Sequence, residues 1–178
     1  DAGEDRTTLW GIGLELLKSH PLFGVGFGNM SNYAGQTAHN SVVVCAAELG
    51  MFGLSFWTLF LFPTVRDAII IASPEKICEA KPIVVEVKRF PQAIRAIEVI
   101  PKAEINRLGR LTVLSLTGFL VTAWFLSRSF VLTFFLLGGI IEVIFEIALR
   151  QGMVSPRLPM SKVLRYSGTL TISLLLLM

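Results

Sequence analysis

Three stretches of this chain are long and apolar enough to cross a lipid bilayer as helices. A helix needs about 20 mostly apolar residues to cross the hydrocarbon, and residues 42–64, 111–127 and 129–149 are of that order. A fourth apolar stretch, 166–178, runs to the end of the chain and predicts a truncated span. Because hydrocarbon cannot pair backbone polar groups, each span must be helical. The sequence therefore predicts an all-α, multi-pass transmembrane region over 42–178.

Lysine and arginine are distributed unevenly among the connections between these spans. Thirteen of the 16 lie in segments 66–110 and 150–165, and the other three lie in residues 1–41 and at Arg128. Cytoplasmic loops of membrane proteins carry the excess of basic residues. We therefore expect 66–110 and 150–165 to be cytoplasmic loops, and 1–41 to be extracytoplasmic. The net charge of +3 then reflects membrane topology, and no nucleic-acid partner is expected.

Residues 1–41 predict an extracytoplasmic helix followed by a loop. Apolar residues recur on one side of segment 6–19, and Pro21 ends the predicted helix. The glycine-rich segment 24–28 follows, without a complete G-x-G-x-x-G or a strand-turn-helix context. A nucleotide loop is therefore excluded, and the glycines predict a tight path beside lipid or ligand.

The loop 66–110 has the weakest pattern in the chain. Residues 83–90 are compatible with a strand and residues 92–100 with a short helix. Forty-five residues rarely build an independent core. We expect this loop to lie on the membrane surface.

The chain begins at Asp1 and ends at Met178 inside an apolar run, which predicts a fragment of a longer protein. Its two cysteines, Cys45 and Cys78, fall in a span and in a cytoplasmic loop. We expect no disulfide between them, because they lie at different levels.

His39 and Arg6 are the candidate catalytic side chains. His39 precedes the span 42–64 directly, where a histidine acts as a general base, a hydrogen-bond donor or a polar cap. Arg6 is either a solvated surface residue or a phosphate clamp, since its planar guanidinium fits phosphate oxygens. Trp10, four residues on, would stack on Arg6 in a helix. His20 is expected to be structural.

Carboxyl groups inside the spans are costly and therefore informative. Glu48 lies about 13 Å beyond His39 along a helix, and function and structural pairing are equally compatible with it. Glu142 and Glu146, with Arg150 four residues after Glu146, predict an interfacial ionic cluster. No HExxH motif, CxxC pair or carboxylate cluster is present in the sequence, so no metal and no cofactor are expected.

Five sequence elements, in order, resemble motifs of the O-antigen ligase and polymerase family of bacterial membrane glycosyltransferases. The resemblance covers residues 6–62 and, more loosely, 110–148, but not the loop between them. The elements are Arg6 with Trp10, the block 20–26 (HPLFGVG), His39-Asn40 with Gly50 and Gly53 at the signature spacing, Glu48-Leu49-Gly50, and the hairpin 125–129.

This resemblance implies an O-antigen ligase-like enzyme of the bacterial inner (plasma) membrane, metal-independent and inverting, with an extracytoplasmic active site. The donor would be an undecaprenyl-pyrophosphate-linked glycan, and the acceptor lipid A-core or another glycan. His39 would activate the acceptor hydroxyl or orient the two substrates, and Arg6 would stabilise the leaving pyrophosphate. The family also uses an earlier arginine and preceding spans that this chain lacks, so the fragment alone is expected to be inactive. The implied substrate-binding residues are Trp10, Asn40, Gly24, Gly26 and Glu48.

Three alternatives stay open at this point. A polymerase of O-antigen or exopolysaccharide would share the same motifs. A membrane transporter, the bicarbonate-type label given to some family members, would show broken helices or repeated halves, and neither is evident in the sequence. A polar path from Glu48 to Glu142 would favour transport. A purely structural membrane subunit would leave the ordered motifs unexplained.

Overall fold

The computed structural model describes residues 2–79, 100–126 and 132–177, and the predicted all-α fold is confirmed for these residues. Three of the helices, α3, α4 and α5, are long and apolar enough to cross a membrane. Arg128, the segment 83–90 and nearly all of 92–100 lie outside the described residues. The helices are α1 (Ala2–Ser19), α2 (Met30–Ala34), α3 (Ser41–Ala72), α4 (Lys102–Phe125), α5 (Leu132–Arg150) and α6 (Met160–Leu176).

Helix α3 is the centre of the structure and packs against α1, α4, α5 and α6. The fully buried ring of Phe134 on α5 joins three of these helices. It stacks on Phe119 of α4 at 5.3 Å and meets Trp57 and Phe60 of α3 at 5.7 and 5.1 Å between ring centroids. Rings at these separations attract one another beyond simple area burial. One aromatic cluster thus fixes α4 and α5 against α3.

The long helices alternate in direction, which gathers the connections at two opposite ends of the molecule. We call these the His39 end (residues 35–41 and Leu126) and the basic end (residues 73–79, 100–101 and 151–159). The described parts of both basic loops share one end. At the His39 end, Ser41 Oγ donates a hydrogen bond to the Leu126 carbonyl (2.8 Å). At the basic end, Asn106 Nδ2 donates to the Ala72 carbonyl (2.8 Å), and the Cys78 N–H donates to the Met153 carbonyl (2.7 Å).

Three helices extend beyond the apolar stretches that predicted them. Helix α3 continues to Ala72, while α4 and α6 begin at Lys102 and Met160. Charged residues in these terminal turns lower the local hydropathy, although the backbone stays helical. Pro101 and Pro159 stand immediately before α4 and α6, where a missing N–H removes no helical hydrogen bond.

Helix α3 is broken at Gly50, inside the stretch 42–64 that the sequence predicts as one span and in which no break was evident. Gly50 has φ 66° and ψ −163°, a conformation almost restricted to glycine. Hydropathy could not detect the break, because one glycine leaves an apolar run apolar. Residues 51–72 alone span about 33 Å, which is enough to cross the hydrocarbon.

The loop at residues 21–26, which we call the plug loop, fills this break. It replaces the helical hydrogen bonds that the break removes, so the non-helical backbone stays paired within the protein, as a bilayer would require of it. A β-carbon on Gly24 would lie 2.4 Å from the Glu48 carbonyl carbon, so the approach requires glycine. The four bonds run from Val25 N–H to the Ala47 carbonyl (3.0 Å), Gly26 N–H to the Glu48 carbonyl (2.9 Å), Met51 N–H to the Pro21 carbonyl (2.9 Å) and Phe52 N–H to the Leu22 carbonyl (3.2 Å).

Substitution of Gly50 tests this junction. A β-carbon there would lie 2.5 Å from the Leu22 carbonyl oxygen and 2.6 Å from the Gly24 nitrogen. We expect Gly50→Ala to lower the free energy of unfolding by roughly 1–3 kcal/mol from backbone strain alone, measured by titrating the purified protein in mixed micelles with SDS. Gly139→Ala is the control, because that helical glycine faces open space. Equal losses in the two variants would contradict the plugged break.

Candidate functional site

His39 lies on the loop that enters α3, and its imidazole is exposed. Its φ of 50° is the one positive value among the described residues other than glycine, an uncommon conformation for a residue with a side chain. The neighbours on both sides hold it there. Ala38 is fully buried, and Asn40 is 2% exposed. Asn40 Oδ1 accepts the N–H groups of Val42 and Val43 at 2.9 and 3.2 Å, and so caps α3.

Helix α1 brings Arg6 to the same end of the molecule. Trp10 Nε1 donates to the carbonyl of Ala38 at 3.0 Å, and Ala38 is the residue before His39. Arg6 is exposed and lies one helical turn before Trp10, about 6 Å away. This path keeps the backbones of Arg6 and His39 within about 20 Å of each other. The two candidate catalytic residues therefore lie at the same end of the molecule, and both are exposed.

The other predicted site residues form hydrogen bonds within the protein. Trp10 and Asn40 hold the loop around His39, while Gly24 and Gly26 belong to the plug loop. Across the described chain, by contrast, no hydrogen bond or ion pair involves Arg6 or His39. The substrate-binding roles that the resemblance implies for the engaged residues stay predictions.

Glu48 is 4% exposed and has a structural partner. Its Oε1 accepts the N–H of Met30, the buried first residue of α2, at 3.3 Å. Of the two alternatives for Glu48, structural pairing is the one with a visible contact. Buried Leu54 and Leu61 occupy α3 between Glu48 and the basic end, where Glu142 lies. Buried Thr58 and Thr64 lie on the same stretch, and Thr58 Oγ1 lies 2.6 Å from Thr171 Oγ1. The hydrogen bonds of these described residues do not join Glu48 to Glu142.

At the basic end, the predicted Glu146–Arg150 pair is confirmed at 2.9 Å. Arg157, which sequence reasoning did not single out, binds Glu142 and also Glu146, the latter at 3.1 Å. Its hydrogen bond to Glu142 raises the pKa of the Arg157 guanidinium above its usual value. The cluster ties the α5–α6 connection to α5.

Arg66 and Asp67 were also missed, because they were assigned to the loop 66–110. They lie in the terminal turns of α3, where Asp67 is 4% exposed and bound by Arg66. The guanidinium groups of Arg66 and Arg157 lie 5.8 and 5.6 Å from the centroid of the Phe145 ring. The apolar run that follows Asp67 was the signal for a longer helix.

Comparison of the chain with protein-family models, with curated proteins and with solved structures finds no match. No group of three or more His, Cys, Asp or Glu side chains suited to a metal occurs within residues 2–79, 100–126 and 132–177. The functional assignment therefore depends on the His39 end itself and on the sequence motifs that form it.

The cap at Asn40 predicts a measurable effect on stability. Asn40→Ala removes the acceptor for two α3 N–H groups, and we expect a loss of about 1 kcal/mol. Asn40→Asp keeps a side-chain acceptor and should lose less than half of that. Unfolding in SDS mixed micelles compares the two variants. Wild-type stability in Asn40→Ala would mean that the cap does not hold the His39 loop.

Proposed function

We propose that this chain carries the acceptor-activating and pyrophosphate-binding residues of a bacterial membrane glycosyltransferase. The enzyme would transfer a glycan from an undecaprenyl-pyrophosphate carrier to a hydroxyl of lipid A-core or of another glycan. Its site would face the extracytoplasmic side of the inner membrane, as in the O-antigen ligase family that the motifs resemble.

One observation carries this proposal: the motifs of residues 6–62 converge on one structural unit. The glycines and polar residues of these motifs are engaged in the plug loop, the α3 cap and the α1 contact. Arg6 and His39 alone among the seven proposed site residues are exposed without a polar partner in the described chain. The two exposed side chains are therefore available to a substrate, whereas the other five residues are engaged within the protein.

The exposed pair fits the chemistry of an inverting transfer. His39 accepts the proton of the acceptor hydroxyl as its oxygen attacks the anomeric carbon of the donor. The bond from that carbon to the pyrophosphate oxygen breaks, and negative charge develops on the leaving group. Arg6 stabilises this charge with its fork of N–H donors. Nucleophile and leaving group lie on opposite faces of the sugar, so base and cation act from separate positions.

The plug loop also offers an apolar surface for a polyprenyl chain. Phe23 and Phe27 expose about 70% of their surface at this loop, and Phe23 stacks on Phe52 of α3 at 5.3 Å. Clustered apolar side chains that are exposed often mark sites of contact with a membrane or an apolar ligand. This surface supports a donor that is itself anchored in the bilayer.

The broken helix raises the transporter alternative again, because discontinuous helices coordinate ions and substrates in transporters. Here the carbonyls of Ala47 and Glu48, and the N–H groups of Met51 and Phe52, are bound by the plug loop. They are engaged within the protein and are not left for an ion. The enzyme is therefore the better-supported proposal, with a polymerase of the same family as the variant that differs in acceptor.

Complementation of the complete gene tests the proposal. We expect the wild-type gene to restore surface polysaccharide in a host that lacks its own ligase or, for a polymerase, its own polymerase. His39→Ala should lower transfer at least about 100-fold, the usual loss for a general base. Arg6→Ala should lower transfer by a similar factor. Arg6→Lys should retain part of the activity, because lysine keeps the positive charge but lacks the paired N–H donors of the guanidinium group.

The matched controls are His20→Ala and Lys18→Ala, an exposed histidine and an exposed cation on or next to α1. The transfer activity of both variants should stay within about threefold of wild type when equal amounts of protein are present in the membrane, since neither residue lies at the proposed site. Full polysaccharide in His39→Ala and Arg6→Ala would overturn the mechanism. Equal losses in the two controls would show that α1 and its loop act only through folding.

A further inference from the structure

A cavity of about 320 Å³ opens at the basic end between α3, α5 and the start of α6. Its apolar wall includes Leu59, Pro63 and Val163. Its charged residues are Arg66, Asp67, Glu142 and Arg157. Leu59 lies about 10 Å from Arg66 along α3, towards the middle of the helix. The cavity thus joins a charged region near the helix end to an apolar wall that continues into the span.

The charges in this cavity balance, with two guanidinium groups and two carboxylates. Arg66 pairs with Asp67, and Arg157 pairs with Glu142. Glu146, which also binds Arg157, is balanced by its second partner, Arg150. The side chains of Arg157 and Glu142 are 43% and 51% exposed, so both are accessible from outside. An exposed ion pair contributes little stability, and a ligand carrying both charges can replace it at little cost.

Pro63 adds an acceptor to the apolar wall. Proline has no N–H, so the carbonyl of Leu59, four residues earlier, lacks its usual helical donor. Both residues line the cavity. A carbonyl released in this way can accept a hydrogen bond from an ammonium or hydroxyl group.

We propose that this cavity binds the headgroup of a zwitterionic phospholipid. The phosphate would pair with Arg157 and the ammonium with Glu142, in place of the exposed ion pair between these two side chains. The first carbons of the lipid would lie along Leu59 and the other apolar residues of the wall. A purely anionic headgroup would leave carboxylates beside its phosphate, and that repulsion disfavours it. The balance of charge in the lining therefore selects a neutral headgroup that carries both signs.

Lipid titration of the purified protein in detergent tests this site. Native mass spectrometry would compare phosphatidylethanolamine, phosphatidylglycerol of the same acyl chains, and soluble phosphoethanolamine. We expect phosphatidylethanolamine to bind at least tenfold more tightly than either of the others. Arg157→Gln should weaken that binding about tenfold. Val163→Trp fills the cavity without changing its charge and should abolish binding.

The control is Arg107→Gln, which removes an exposed arginine at the same end that pairs with Glu104 at 2.8 Å. It should bind the lipid like wild type. Equal binding of phosphatidylglycerol would overturn the zwitterionic headgroup, and equal binding of phosphoethanolamine would overturn the lipid. If Arg107→Gln weakened lipid binding as much as Arg157→Gln does, the binding would depend on surface charge in general, and the proposed site would be wrong. If Arg157→Gln does not fold, retained binding in folded Val163→Trp would by itself overturn the site.

Discussion

The rest of the structure depends on the pairing of the plug loop with the broken backbone of α3. A break inside an apolar helix exposes carbonyl and N–H groups that hydrocarbon cannot satisfy. The plug loop supplies partners on both sides of Gly50, and the absence of side chains on Gly24 and Gly50 allows the two backbones to meet. This contact fixes the loop to α3 and, through Glu48 and the N–H of Met30, also positions α2.

The same pairing explains why motif residues separated in sequence act as one unit. Trp10 binds the loop before α3, Asn40 caps α3, and the plug loop fills its break. Together these contacts hold the backbone around His39 and attach α1, which carries Arg6, to it. The proposed catalytic pair would need such support, because small displacements of positioned groups cost large factors in rate. The basic end is held separately, by ionic pairs and by the ring of Phe145.

The apolar spans and the sharing of one end by the basic loops were predictable, because they follow from hydropathy and charge alone. The break was not, since Gly50 in an apolar run is compatible with either a helix or a kink. Its cause is the plug loop, which is distant in sequence, and only packing shows that the glycines of 24–28 are needed for a close approach to α3. Asp67 was missed for a related reason. The predicted end of the first span was placed at the first charged residues, Arg66 and Asp67, whereas the structure continues the helix and buries Asp67 beside Arg66.

The central claim places His39 and Arg6 on the extracytoplasmic side, opposite the basic end. Labelling with a membrane-impermeant maleimide in right-side-out vesicles tests it directly. The native Cys78 is exposed at the basic end, while Cys45 is buried and should not react. A second protein would carry Gln36→Cys, at the His39 end, together with Cys78→Ser. Our account predicts labelling of Gln36→Cys in sealed vesicles, and of Cys78 only after permeabilisation. Labelling of Cys78 in sealed vesicles, with Gln36→Cys protected, would contradict it.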